Sequence, residues 1–128
     1  MANGNEEKTL YQRMGGYDVI AGTIDDLLNR FRSDPRFARF GMGRSLDSIQ
    51  RARQLLVDQM CALAGGPCVY TGRDMKTSHA GLGIGQEEWK ANLDFAAAAL
   101  EKFGVGAKEA AEFLAIFERY KEDIVEKP

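Results

Sequence analysis

The stretch Tyr70-Thr71-Gly72-Arg73-Asp74-Met75-Lys76-Thr77-Ser78-His79-Ala80-Gly81-Leu82-Gly83-Ile84 decides how this chain is read. It contains the only histidine in 128 residues, His79. Its glycines make it loop around one short helix. A neutral imidazole is the commonest protein ligand for a transition metal. A lone histidine is more often a surface or satisfied group, so the surroundings of His79 must decide between the two uses.

Outward from this stretch the chain is helical on both sides. Upstream, a helix starts between Ser45 and Ser48 and runs to Ala64, with Ile49, Ala52, Leu55, Leu56, Met60 and Leu63 on its apolar face. Gly65-Gly66-Pro67 ends it. Downstream, Gly85 with Glu88 starts a helix that carries Trp89, Leu93, Ala96, Leu100 and Phe103. A last helix spans Ala107 to Val125, with Phe113, Ile116, Phe117, Tyr120 and Ile124 on one face. Nearer the N-terminus, Asp18 to Arg32 places Val19, Ile20, Ile24, Leu27, Leu28 and Phe31 at three-four spacing. Asp34-Pro35 stops that helix and starts a short one bearing Phe37 and Phe40. Thr9 to Met14 forms a turn or two before Gly15-Gly16. No segment alternates with period two, so the class is all-α. Residues 1–8 read as a flexible tail and 9–128 as one domain. Loops beyond about 12–15 residues inside a compact domain are usually functional, and the span from Gly65 to Gly85 exceeds that.

Composition excludes several classes. Apolar residues make up 45%, charged residues 28%, and net charge is -2. That is an ordinary soluble globular chain with no global attraction to nucleic acid or anionic membrane. No apolar run is long enough to span a bilayer, and the polar, acidic N-terminus has no signal region. The expected location is cytoplasmic. Cys61 and Cys68 are spaced as neither a redox pair nor a zinc knuckle. Cys61 reads as a small buried residue, and a reducing cytoplasm would keep both as thiols.

The motifs Leu10-Tyr11, Gly15-Gly16, Gly65-Gly66, Tyr70-Thr71-Gly72, Met75-Lys76, His79 and Gly83-Ile84 together resemble the truncated haemoglobins, most of all their first group. The likeness runs from Leu10 to Val125, with a short insertion before or within the helix ending at Ala64. It implies a truncated globin fold, a two-over-two helical sandwich around haem b, with His79 as the proximal iron ligand.

Haem is an apolar disc with two carboxylates at one edge. It needs an apolar slot, one basic axial ligand and cations near the propionates. Met75, Leu82 and Ile84 flank His79 and suit the proximal face. By resemblance, Tyr70 and Lys76 reach toward propionates, with Arg73 a second candidate. For Lys76 and Arg73 the competing reading is solvated charge. Phe40, Leu55, Met60, Trp89 and Phe117 complete the expected cofactor contacts.

On the distal side the chain departs from its family. Where first-group members carry a tyrosine donor, this chain has Leu28. Where helix E supplies glutamine, it has Ala52 and Leu56, unless the register turns Gln54 or Gln59 inward. By the resemblance, Asn92, thirteen positions after His79, is the one polar residue placed to compensate. It either meets the ligand or bonds a neighbouring carbonyl. A hydrogen bond to a charged group is worth about 1.5–3 kcal/mol, so a pocket lacking a donor retains dioxygen poorly. Carbon monoxide and nitric oxide depend on it less. With one histidine, a bis-histidine resting state is impossible within one chain, and Met60 is only a remote thioether candidate.

The expected function is binding of oxygen and other diatomic gases, NO and CO, at a histidine-ligated iron, in the manner of oxygen-transport globins. The alternative is enzymatic use of the same iron, as an NO dioxygenase, peroxidase-like enzyme or nitrite reductase. A third reading is a helical interaction module without haem. Arg30, Arg32, Arg36, Arg39, Arg44, Arg51 and Arg53 are either a solvated face or a docking surface for an acidic reductase. The expectation is otherwise a monomer, without nucleic-acid or membrane partners.

Overall fold

The computed structural model describes residues 8–40 and 44–127. The expected N-terminal tail and the loop Gly41-Met42-Gly43 lie almost wholly outside the described residues. Helices α1 (Leu10–Met14), α2 (Tyr17–Ser33), α3 (Leu46–Leu63), α4 (Met75–His79), α5 (Gln86–Lys102), α6 (Ala107–Glu118) and α7 (Lys121–Ile124) follow in order. A 3-10 helix at Pro35–Phe40 separates α2 from α3. Among the described residues the only extended pairing is an isolated bridge between Gly85 and Lys127.

The helix starts follow local chemistry. Thr9 and Gln12 form a reciprocal capping box on α1. Ser45 caps α3 by accepting from Ser48 N at 3.1 Å. Asp34 accepts from Arg36 N at 2.9 Å and opens the 3-10 helix at Pro35.

The core is where the periodic apolar positions converge. Ile20, Ile24 and Leu27 of α2 meet Val57 and Met60 of α3, Ala96 and Leu100 of α5, and Phe113 and Ile116 of α6. Each large side chain so buried contributes about 1.5–3 kcal/mol. α2 packs most extensively on α5 and next on α3, and α5 packs on α6. Two helix pairs therefore join across α2 and α5, as the sandwich expectation requires. Gly22 makes that crossing possible. A Cβ there would lie 2.5 Å from the Phe103 ring at the end of α5. The close approach outweighs the ~0.5–1 kcal/mol that a mid-helix glycine costs.

Two expectations are corrected. The last helix is not continuous from Ala107 to Val125. It stops at Glu118, and a new turn begins at Lys121. Tyr120 sits at the break with its ring against the core. No glycine or proline marks the site, so the apolar period reads straight through it. The cysteines are not thiols either. Cys61 and Cys68 form a disulfide with Cα atoms 5.8 Å apart, inside the normal range for that bond. The turn after α3 folds Cys68 back alongside the buried Cys61, an approach that linear spacing does not reveal.

Candidate functional site

His79 closes α4, whose start is capped by Asp74 accepting from Thr77 N at 3.4 Å. Its Nδ1 lies 2.9 Å from the Met75 carbonyl and 2.9 Å from Ser78 Oγ. A carbonyl only accepts, so Nδ1 carries the proton and donates to Met75 O. Nε2 is left with the lone pair. That tautomer is the one a metal-ligating imidazole needs, fixed by a backbone carbonyl on its other nitrogen.

Among the described residues no group of three or more His, Cys, Asp or Glu side chains is placed to hold a metal ion. A single imidazole does not retain a bare ion. A metal here must bring its other ligands with it, as an iron porphyrin does. The donor set thus fits haem and does not fit a free cation.

A cavity of about 270 Å³ lies between the end of α3, the start of α4 and the α6–α7 break. Ala62, Leu63 and Met75 give it apolar walls, and Tyr70 and Tyr120 give it aromatic ones. Asp74 and Asp123 stand at the same cavity. Tyr70 donates its hydroxyl to the Arg73 carbonyl, and burial pushes its pKa up, with Arg73 opposing. Its hydroxyl is therefore turned to its own loop. Arg73 and Lys76 are exposed and make no side-chain hydrogen bond or ion pair with a described residue. They remain the cations available to a carboxylate at this edge.

Gln54 and Gln59 have different environments. Gln54 Nε2 donates to Tyr17 Oη and to Asp58 Oδ1, both at 3.0 Å, and its Oε1 accepts from Arg53 at 2.9 Å. Its amide is consumed in tying α3 to α2. Gln59 is 8% exposed and lines the cavity. Its amide makes no hydrogen bond to a described residue. The sequence marks Gln59 only as a register alternative, and nothing in it marks Ala62, Leu63, Tyr120 or Asp123 as cavity residues. The signal for Gln59 was a polar residue one position before Met60 on the inward face.

Of the residues expected at the cofactor, Tyr70 and Met75 line this cavity. Leu28, Leu56 and Phe117 are half-buried against the core cluster. Ala52, Leu55, Ile84 and Asn92 are half-buried, and Leu82 is largely exposed. Asn92 makes no side-chain hydrogen bond to a described residue, so the neighbouring-carbonyl alternative is not what this structure has. Met60 is buried in the core rather than free at a pocket. Trp89 is buried, with its indole N–H lacking an acceptor among the described residues. Phe40 is half-buried, with the Arg39 guanidinium 4.1 Å from its ring centroid.

Arg30 pairs with Asp26, Arg36 with Asp34, Arg39 with Glu88 and Arg53 with Asp25. Each guanidinium holds its partner carboxyl below the usual range. Much of the arginine run is thereby neutralised, and the face offers less to an acidic partner than the sequence suggests. No helix among the described residues is long and apolar enough to cross a membrane.

A family model described as bacterial-like globin matches residues 9–126. The chain is 25% identical over 123 residues to a group 1 truncated haemoglobin of Tetrahymena pyriformis, covering 96% of this chain and 99% of that one. It is 31% identical over 101 residues to the group 1 truncated haemoglobin GlbN of Nostoc sp. (strain MUN 8820), covering 79% and 83%. In fold it is similar to the crystal structure of the T. pyriformis truncated haemoglobin in its Fe(III) form. The TM-score is 0.83 at 23% identity, over 92% of this chain and 98% of that one. The 2/2 haemoglobin of Synechococcus sp. PCC 7002, with covalently attached haem, gives a TM-score of 0.81 at 19% identity over the same shares.

Proposed function

Because the chain belongs to the truncated haemoglobins within the bacterial-like globins, we propose that it binds haem through His79 Nε2 and takes up diatomic gases. The observation that carries this reading is the 2.9 Å approach of His79 Nδ1 to the Met75 carbonyl. The Met75 carbonyl holds the proton on Nδ1 and orients the ring, which also raises its basicity as a ligand. Haem, when bound, would supply an iron able to take up oxygen, NO or CO.

The chain's own residues set the rest. Met75 and Leu63 offer apolar contact, which a flat macrocycle needs. Arg73 and Lys76 meet the propionates from the solvent side. The group is held as haem b, without a covalent link. Cys61 and Cys68 are bonded to each other, so neither sulfur is free to form a thioether. Leu28, Ala52 and Leu56 give the distal side no proton donor. Asn92 and Gln59 carry amides that make no hydrogen bond to a described residue. With leucine at position 28 in place of a tyrosine hydroxyl, the pocket holds oxygen loosely and discriminates little against CO and NO.

Absorbance of the purified, haem-reconstituted protein tests this. A Soret band that shifts on reduction and on CO addition is expected. The His79→Ala variant should lose it and regain it with added imidazole. A wild-type protein that takes up haem no better than His79→Ala overturns the reading.

A further inference from the structure

The short turn after His79 is held by the far end of the chain. Leu82 N donates to the His79 carbonyl at 3.2 Å, which closes the turn on the ligand residue itself. Gly81 and Gly83, on either side of Leu82, have φ of +82° and +68°. In that region glycine is unstrained, and successive amides can point the same way to form an anion-binding concavity. The Glu126 carboxylate occupies it. Oε2 accepts from Gly81 N at 3.1 Å and Oε1 from Gly83 N at 2.8 Å.

The surrounding backbone reinforces the contact. Glu126 N and Lys127 N both donate to the Ile84 carbonyl, at 2.8 and 3.2 Å. α7 packs against α4, so the C-terminal turn already lies beside the His79 helix. The two amides hold the Glu126 carboxyl below its usual range, with Lys127 adding a smaller pull in the same direction. The Glu126 side chain is exposed and lies beyond Ile124, the last buried residue among those described. It adds little to the core, and its side-chain hydrogen bonds to described residues are confined to the turn.

We propose that Glu126 is a positioning residue for the proximal side, clamping the Gly81–Gly83 turn and through it fixing the backbone from which His79 presents Nε2. This rests on the reading of His79 as the haem ligand. Without the carboxylate the turn keeps its Leu82-to-His79 bond and the backbone bonds to Ile84, but loses the side-chain clamp on the Gly81 and Gly83 amides. The imidazole then samples a wider range of tilts, and the iron–histidine bond weakens on average.

The full-length wild type, Glu126→Ala and Glu126→Gln should be compared by amide exchange at Gly81 and Gly83, haem transfer to an apoglobin acceptor, and the ferrous iron–histidine stretching frequency. In Glu126→Ala both amides should lose protection, and haem should leave about threefold faster, below the roughly tenfold to hundredfold typical of groups that touch a ligand directly. The stretching band should fall and broaden. Glu126→Gln keeps one acceptor oxygen and should lie between. A merely structural role would lower the thermal midpoint and leave the stretching band unmoved, which overturns the proposal. So does a Glu126→Ala protein matching wild type in band and haem loss. Wild-type protein that takes up no haem is a separate failure, of the haem reading itself.

Discussion

α2 and α3 bury Ile20, Ile24, Leu27, Val57 and Met60 in one core, whereas α4, which carries His79, buries no residue at all. The wall that α2 and α3 form is thus held by hydrophobic contact. The wall that α4 forms is held by tethers. A disulfide anchors the chain before it, Asp74 caps its start, and Glu126 fixes the turn after it. Elements with few buried contacts open locally at lower cost than the core. The segment bearing His79 can therefore adjust at lower cost than α2 and α3.

Three measurements break or sharpen this contrast. The largest effect is expected from Leu27→Ala. Leu27 is 1% exposed, and such truncations cost about 2–5 kcal/mol. Urea denaturation should show the loss, while the folded fraction keeps a wild-type iron–histidine band. A change in that band with no loss of stability would mean the two walls are not separately held.

Next is Cys68→Ser, which opens the small loop closed on Cys61. A disulfide closing so short a loop stabilises by about 2–3 kcal/mol in the chain-entropy account. A dithiol reductant should lower wild-type stability by the same amount and leave the variant unchanged. Haem should also leave the variant faster, because the segment leading to α4 is freed. Equal denaturation curves for wild type with and without reductant would remove the covalent tether from the account.

The smallest is Leu28→Tyr. A hydroxyl there restores a distal donor and should slow oxygen release roughly tenfold, or about 1.4 kcal/mol, with little change in stability. The off-rate from laser photolysis or stopped flow reads it directly. An unchanged off-rate would mean that position 28 does not face the bound gas or that Asn92 already supplies the bond.

Much of the fold was legible in the residues. The three-four spacing of Ile20, Ile24 and Leu27, the helix starts near Thr9 and between Ser45 and Ser48, and the glycine breaks at 15–16 and 65–66 each act within a few positions of themselves. The break at Arg119–Tyr120 was not legible. The apolar period of Phe113, Ile116, Tyr120 and Ile124 continues through it, and no glycine or proline marks it. At the site, His79 and Met75 stood out because they share one turn. Gln59 did not, because which of two nearby amides is spare depends on Tyr17, a partner on another helix.

By itself the sequence determined an all-helical chain, the order of its helices, and an imidazole set on one short turn between glycine-rich loops. Those features are governed by neighbours three or four residues apart. Only the tertiary structure decided that Cys61 reaches Cys68, that Gln54 is spent on Tyr17 while Gln59 faces the cavity, and that Glu126 closes on the amides of Gly81 and Gly83. Each depends on the distance between groups that the folded core brings together, Glu126 and Gly81 being 45 positions apart. Linear spacing carries no record of such distances.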